Sequence, residues 1–227
     1  MNIQKKEYLI CGNGAADLIF SLSRALNPKK ALLPAPTFAE YEQALVSVGC
    51  EISRYYLKEE NDFCIQEDYP DVLKKEKPDI IFLCNPNNPT GITIPQDLLE
   101  KILETCSIQG IFMVVDECFL DFVKDPDKHT LKEKLEKYPG LFILKAFTKR
   151  YAIPGVRLGY GFCSDREVLD RMEAVTQPWN VSTMAQQAGN GSTEGIRICG
   201  SRTADHFPGI CMDEGKDETG WADGISF

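Results

Sequence analysis

In the stretch "ILKAFTKRYAIPGVRLGYG" (residues 143–161) an apolar run ends near Lys149, and Arg157 follows beyond Pro154 and Gly155. A deprotonated lysine amine is a nucleophile and a base, and an arginine fork matches phosphate or carboxylate oxygens. A single lysine at a strand end is usually no more than a solvated side chain, and Lys145, inside the run, suits that plain role better. Asp116 closes a second apolar run in "VVDECFLDF" (114–122), where a buried carboxylate needs a cationic or protonated partner. Glu117 and Asp121 beside it admit another reading, a metal site or an acid–base carboxylate pair. With two histidines in the whole chain, His129 and His206, a histidine triad or multi-histidine metal centre is not supported.

Two loops complete the set. "CNPNNPTG" (84–91) crowds three asparagines, two prolines and a glycine behind an apolar run. Proline removes backbone freedom there, so the amides can orient a ligand from a rigid loop. In "CGNGAADLIF" (11–20) a strand passes through Gly-Asn-Gly into a helix, whose first free N–H groups form an anion site. Taken alone, this is equally an ordinary strand-to-helix turn. A dinucleotide fingerprint fits less well: Asp17 replaces the third glycine, and "ALLPAP" offers no acid for a ribose.

The elements that must position these residues follow from the hydrophobic pattern. Strands are expected at 7–11, 30–34, 51–57, 79–84, 111–116, 141–147 and 157–163, and helices at 15–26, 37–49, 95–106 and 165–175. Strands alternating with helices predict an α/β domain, a mostly parallel sheet with helices on both faces. "IIFLC" and "IFMVV" are apolar without alternation, as strands buried on both faces should be. Ligands of such sheets collect at the carboxyl ends of the strands.

The totals exclude other classes. Of 227 residues, 43% are hydrophobic and 26% charged, which suits a packed core. The net charge of −9 and the lack of a basic block argue against nucleic acid or an anionic membrane surface as partner. The amino-terminal residues lack a signal-peptide core, and no run approaches membrane-span length. Nine scattered cysteines without a Cys-x-x-Cys pair suit reduced thiols in a cytoplasm.

In order along the chain, "GNGAAD", "NPNNPTG", "VVDECF" and "FTK" with "PGVRLGY" resemble the fold-type I pyridoxal-phosphate enzymes of the class I/II aminotransferase group, over roughly residues 7–189. The resemblance implies that Lys149 holds pyridoxal 5'-phosphate covalently through its aldehyde. It implies that Asp116 pairs with the protonated pyridine nitrogen, the partner its burial demands. Asn88 would bond the ring 3-oxygen, and Phe38, in "PTFAEY", would stack on the ring. Gly14, Ala15 and Ala16 would offer backbone N–H groups to the phosphate, with Thr148 and Arg157 completing the cup. The two cations of residues 143–161 would then serve opposite ends of one cofactor. Two positions depart from the common pattern: Phe119 stands where many members carry tyrosine, and Ala146 where many carry serine or threonine.

"DECFLDF" combined with "TKRYAIPGVRLGYG" is most similar to the threonine-phosphate decarboxylases of cobalamin synthesis, relatives of the histidinol-phosphate aminotransferases. A cytoplasmic lyase or aminotransferase acting on a phosphorylated amino acid is implied, homodimeric in intact members. The N-terminal arm and C-terminal small domain of those enzymes are expected to be missing, so weak dimerisation, weak cofactor retention and little turnover are expected of this chain. The reading from another class is a nucleotide-binding module that uses "GNGAAD" alone.

Composition breaks after Gly189. Residues 190–227 hold 7 of the 17 glycines and seven acidic against three basic residues, with no traceable period. The expected division is a cofactor-binding domain at 1–189 and a tail at 190–227 outside the family pattern, disordered or read in a shifted frame. Synonymous codons for "NGSTEG" and for "MDEGKDETGWADGISF" can both be chosen so that one offset yields helix- and strand-forming sequence.

Overall fold

The computed structural model of the chain describes residues 6–194, with side chains described as far as Asn190. β1 (Leu9–Gly12) turns through Asn13 and Gly14 into α1 (Ala15–Leu26), followed by β2 (Lys30–Ala35), α2 (Ala39–Val46) and β3 (Glu51–Tyr56). Then come α3 (Tyr69–Glu76), β4 (Ile80–Cys84), α4 (Gln96–Gln109), β5 (Phe112–Asp116) and β6 (Leu141–Ala146). A single turn, α5 (Phe147–Arg150), precedes β7 (Gly159–Cys163), α6 (Arg166–Val175) and α7 (Thr183–Glu194). The strands form one sheet in the order β1-β7-β6-β5-β4-β2-β3. β2 to β6 pair in parallel, and β7 runs antiparallel to both its neighbours.

The unbroken apolar strands are buried on both faces, as their composition requires. Ile80, Phe82, Val114, Phe142 and Leu144 pack with Leu18, Leu22, Tyr41 and Leu169 from α1, α2 and α6. Ile81, Leu83, Met113, Val115 and Ile143 pack on the other face with Leu73, Leu99, Ile102 and Leu131. The α/β architecture expected from the sequence is thus observed. α1 occupies the expected residues; its glycine entry provides no capping side chain, and Asn27 closes it in the left-handed conformation. Asp165 caps α6 by accepting from the N–H groups of Glu167 and Val168.

Three helices escaped the sequence reading, α3, α7 and the single turn α5. α3 is short and charged, and its burial rests on Tyr69, Pro70 and Leu73. α7 is polar and glycine-containing, and it runs across the boundary expected at Gly189 as far as Glu194. The rest of the expected tail, 195–227, lies outside the described residues, as do the expectations placed on it. Lys149, expected at a strand end, sits in the one-turn helix α5 that follows β6.

The reversed direction of β7 shapes the ligand edge of the sheet. Because β7 is antiparallel, its amino end lies beside the carboxyl ends of β1 and β6, with Gly159 opposite both Gly12 and Ala146. Arg157 reaches the ligand edge from the start of a strand, whereas the sequence reading put ligand residues at strand carboxyl ends. Gly159 is pressed against the turn into α1: a Cβ there would lie 2.5 Å from the Ala15 nitrogen and the Gly14 carbonyl carbon. Backbone cannot yield as a side-chain tip can, so Gly159→Ala should destabilise the chain by about 1–3 kcal/mol, read as a lower urea midpoint. A wild-type midpoint would show that this approach is not tight.

Candidate active site

At the common edge of β1, β4, β5, β6 and β7, a cavity of about 260 Å³ is lined by Ala15, Ala16, Phe38, Asn88, Asp116, Thr148, Lys149 and Arg157. Eight of the nine residues singled out in the sequence therefore meet in one place. The ninth, Gly14, stands behind Arg157: with φ 87°, it leaves space in which a Cβ would fall 2.6 Å from the Arg157 Nη2. Arg157 is itself left-handed, with φ 57°, and its Nη1 donates to the Pro154 carbonyl at 3.3 Å. A larger cavity of about 520 Å³, lined by Leu9, Phe147, Leu158, Tyr160, Phe162 and residues of α7, contains no carboxylate or cation. The groups able to do chemistry line the smaller one.

Asp116 ends β5 and is 4% exposed. The sequence reading demanded a cationic or protonated partner; within the protein it has two neutral donors. The Tyr41 hydroxyl donates to Oδ2 at 2.6 Å and the Cys118 N–H to Oδ1 at 2.9 Å. Tyr41 is completely buried, stacked on Phe82 and edge-on to Phe38. Burial, and then the adjacent Asp116 charge, push its phenol well above the usual value, so it stays a donor at any ordinary pH. Burial followed by Asp116 likewise pushes up the Cys84 and Cys118 thiols, which face the cavity as neutral groups. The sequence reading missed Tyr41, Glu40, Cys84 and Cys118. Tyr41 had one signal, a polar aromatic three residues after Phe38 on the helix that follows the loop.

The asparagine loop divides its labour. The Asn85 amide accepts from the Ile94 N–H at 2.9 Å and donates to the His129 carbonyl. Asn87 holds Thr37, Thr90 and the Pro36 carbonyl. Both are used to build the loop, and Asn88 is the one that lines the cavity. Lys149 places its Nζ 4.9 Å from the Phe119 ring centroid, within cation–π reach. At the helix entry Gly14 gives α1 no capping side chain and its own N–H turns back to the Gly12 carbonyl at 2.8 Å, while Asp17 accepts from the Asn13 N–H.

The remaining sequence candidates fall elsewhere. Asp121 pairs with Arg150 at 2.5 Å. Glu117 is fully buried against Lys145, so Lys145 is not the solvated lysine the sequence suggested. Among the described residues no cluster of three His, Cys, Asp or Glu side chains could hold a metal, and no helix is long and apolar enough to cross a membrane. The seven described cysteines are free thiols. The dinucleotide reading fails on topology: β1 is an edge strand beside an antiparallel partner, not the switch point of a doubly wound sheet.

A profile of the family described as aminotransferase class I and II matches residues 1–198. The chain belongs to that family. It is 37% identical over 182 residues to a threonine-phosphate decarboxylase of Salmonella typhimurium, covering 80% of this chain and 49% of the relative. To a histidinol-phosphate aminotransferase of Ruminiclostridium cellulolyticum it is 33% identical over 187 residues, again 80% and 49%. The crystal structure of the histidinol-phosphate aminotransferase from Clostridium acetobutylicum superposes with TM-score 0.80 at 29% identity, over 88% of this chain and 59% of that one. The chain spans about half the length of the curated relatives it matches. Enzymes of this family use pyridoxal phosphate. The cavity fits such a group: uncapped helix donors and Arg157 over a glycine cradle suit its phosphate, and a buried carboxylate, an amide and a lysine are in reach of the same space.

The Tyr41 hydroxyl should be worth about 1–3 kcal/mol to the fold, because without it a buried oxygen of Asp116 has no donor there. In a double-mutant cycle, Tyr41→Phe should lower the urea midpoint in the wild type and cost much less in an Asp116→Ala background. Equal penalties in both backgrounds would mean the bond contributes nothing.

Proposed function

We propose that this chain carries the cofactor half-site of a pyridoxal-phosphate enzyme that decarboxylates threonine phosphate. The observation that carries the reading is the convergence of Lys149, Asp116, Asn88 and Arg157 on one cavity, in a chain 37% identical to a threonine-phosphate decarboxylase. Pyridoxal phosphate, when bound, supplies an aldehyde that takes up amines and a ring that draws electrons from a bond at the substrate Cα.

The chain's own residues have separate tasks. Lys149 would hold the cofactor through its amine, and the same amine, when free, could carry a proton to the substrate Cα. Asp116 would keep a proton on the ring nitrogen, and Tyr41 and the Cys118 amide hold that carboxylate in place. Asn88 would donate to the ring oxygen, and Phe38 would pack on the ring face. Thr148, Arg157 and the N–H groups of Ala15 and Ala16 would bind the phosphate, an anion at a helix start, whereas the Gly14 N–H is engaged by the Gly12 carbonyl at 2.8 Å.

Transamination of histidinol phosphate or another amino acid is the second reading, favoured by the 0.80 superposition on such an enzyme. The two reactions share these cofactor contacts and differ in which bond at Cα is aligned for cleavage, which depends on groups that grip the substrate. The proposed substrate is thus a phosphorylated amino acid or amine, and the proposed assembly a homodimer in which copies complete each other's sites. Residues 1–189 are proposed as the cofactor-binding unit.

Threonine phosphate and pyridoxal phosphate incubated with the chain, or with a version extended to the length of its relatives, should release carbon dioxide. A keto product would transfer the assignment to transamination. In the active form, Asp116→Asn should lower turnover by at least about tenfold while cofactor content changes less, since it removes ring protonation rather than phosphate binding. Unchanged turnover would remove that role from Asp116.

A further inference from the structure

The end of β5 presents two carboxylates in succession, Asp116 and Glu117, and neighbouring side chains of an extended chain point to opposite faces. Asp116 lines the cavity. Glu117 lies on the other side, fully buried, with Oε2 3.4 Å from the Lys145 Nζ. The Thr130 hydroxyl reaches both Glu117 oxygens, at 2.8 and 3.0 Å, and the Leu131 N–H donates to Oε1 at 3.2 Å. Lys145 belongs to that rear face by alternation, since Leu144 and Ala146 on either side of it pack in the cavity-side core. The Glu117 N–H donates to the Leu144 carbonyl at 2.9 Å, which carries the parallel ladder one residue beyond β5.

Apolar burial alone would hold this register weakly. Residues 112–115 are Phe-Met-Val-Val, apolar toward both faces, so a slip by one residue exchanges one apolar set for another. At the strand end the same slip would turn Glu117 into the cavity and Asp116 into the rear core. Fixed polar partners distinguish the two carboxylates. A buried ion pair is seldom the most stabilising filling for a core, and burial pushes the Glu117 carboxyl up even against the pull of Lys145. Specifying register is the best-attested use of such a pair.

We propose that Lys145, through its pair with the fully buried Glu117, sets the register of β5 and so decides that Asp116 is the carboxylate presented to the cavity. Glu117 and Lys145 are then positioning residues. The register claim rests on the fold; its consequence for the cofactor rests on the function proposed above.

Hydrogen exchange read by mass spectrometry on the cofactor-free chain separates register from plain stability. Lys145→Met alone strands a buried carboxylate and should lower the urea midpoint. The neutral pair Glu117→Gln with Lys145→Met should recover it. In that double variant, amides at 116–118 and 144–149 should still exchange about tenfold faster than wild type, with α1 unchanged. Glu117→Gln alone, which removes the charge and keeps oxygen and amide partners for Thr130 and Leu131, should show the same local pattern. Local exchange at the wild-type rate in these variants, or a rise spread evenly over the chain, would overturn the proposal. Equilibrium dialysis with pyridoxal phosphate should show several-fold weaker retention in the double variant than in wild type. A wild-type chain that retains none would count against the cofactor reading alone, and the exchange pattern would still decide the register claim.

Discussion

A carboxylate buried at the end of a strand is the constraint around which this structure is arranged. Asp116 is 4% exposed, and a charge so placed is tolerated only with donors at both oxygens. One donor is local, the Cys118 amide, which the turn after β5 supplies. The other, Tyr41, comes from a helix 75 residues away and is itself fixed between Phe38 and Phe82. Satisfying Asp116 therefore docks α2 on the sheet and places Phe38 at the cavity in the same act.

The second requirement is that cations and anion-binding donors reach the same edge. Parallel strands bring Asn88, Asp116 and the Lys149 turn there through their carboxyl ends, while β1 delivers the helix entry at Gly14. Arg157 arrives by the reversal of β7, which sets the start of that strand beside the ends of its neighbours. Gly14 and Gly159 keep side chains out of the resulting contact, where a Cβ would strike the arginine or the backbone. Fold and site are in this sense one problem: the reversal of β7 within the sheet also brings Arg157 to the cavity.

Much of this was legible in the sequence because it is local. Glycine-rich entry, apolar run and terminal Asp116 or Lys149 occur within a few residues of each other, so period and punctuation locate them. What was not legible depends on partners far apart in the chain. Nothing near Tyr41 announces Asp116, and nothing near Lys145 announces Glu117; both pairs exist only once the sheet is assembled. Residue type alone left the three asparagines alike, and only the family resemblance singled out Asn88; Asn85 and Asn87 hold the loop while Asn88 faces the cavity, a division that depends on the path of the loop. α3 was hidden because its charged residues outweigh the three that it buries.

Whether Lys149 is the amine that holds the cofactor, in a site shared with Asp116 and Arg157, is open to one direct measurement. Purified chain is incubated with pyridoxal phosphate, reduced with borohydride, digested and mapped by mass spectrometry. A pyridoxyl label is expected on the peptide containing Lys149, and none in Lys149→Ala. A label that persists in that variant, or that falls on Lys145 or on scattered surface lysines, would contradict the assignment.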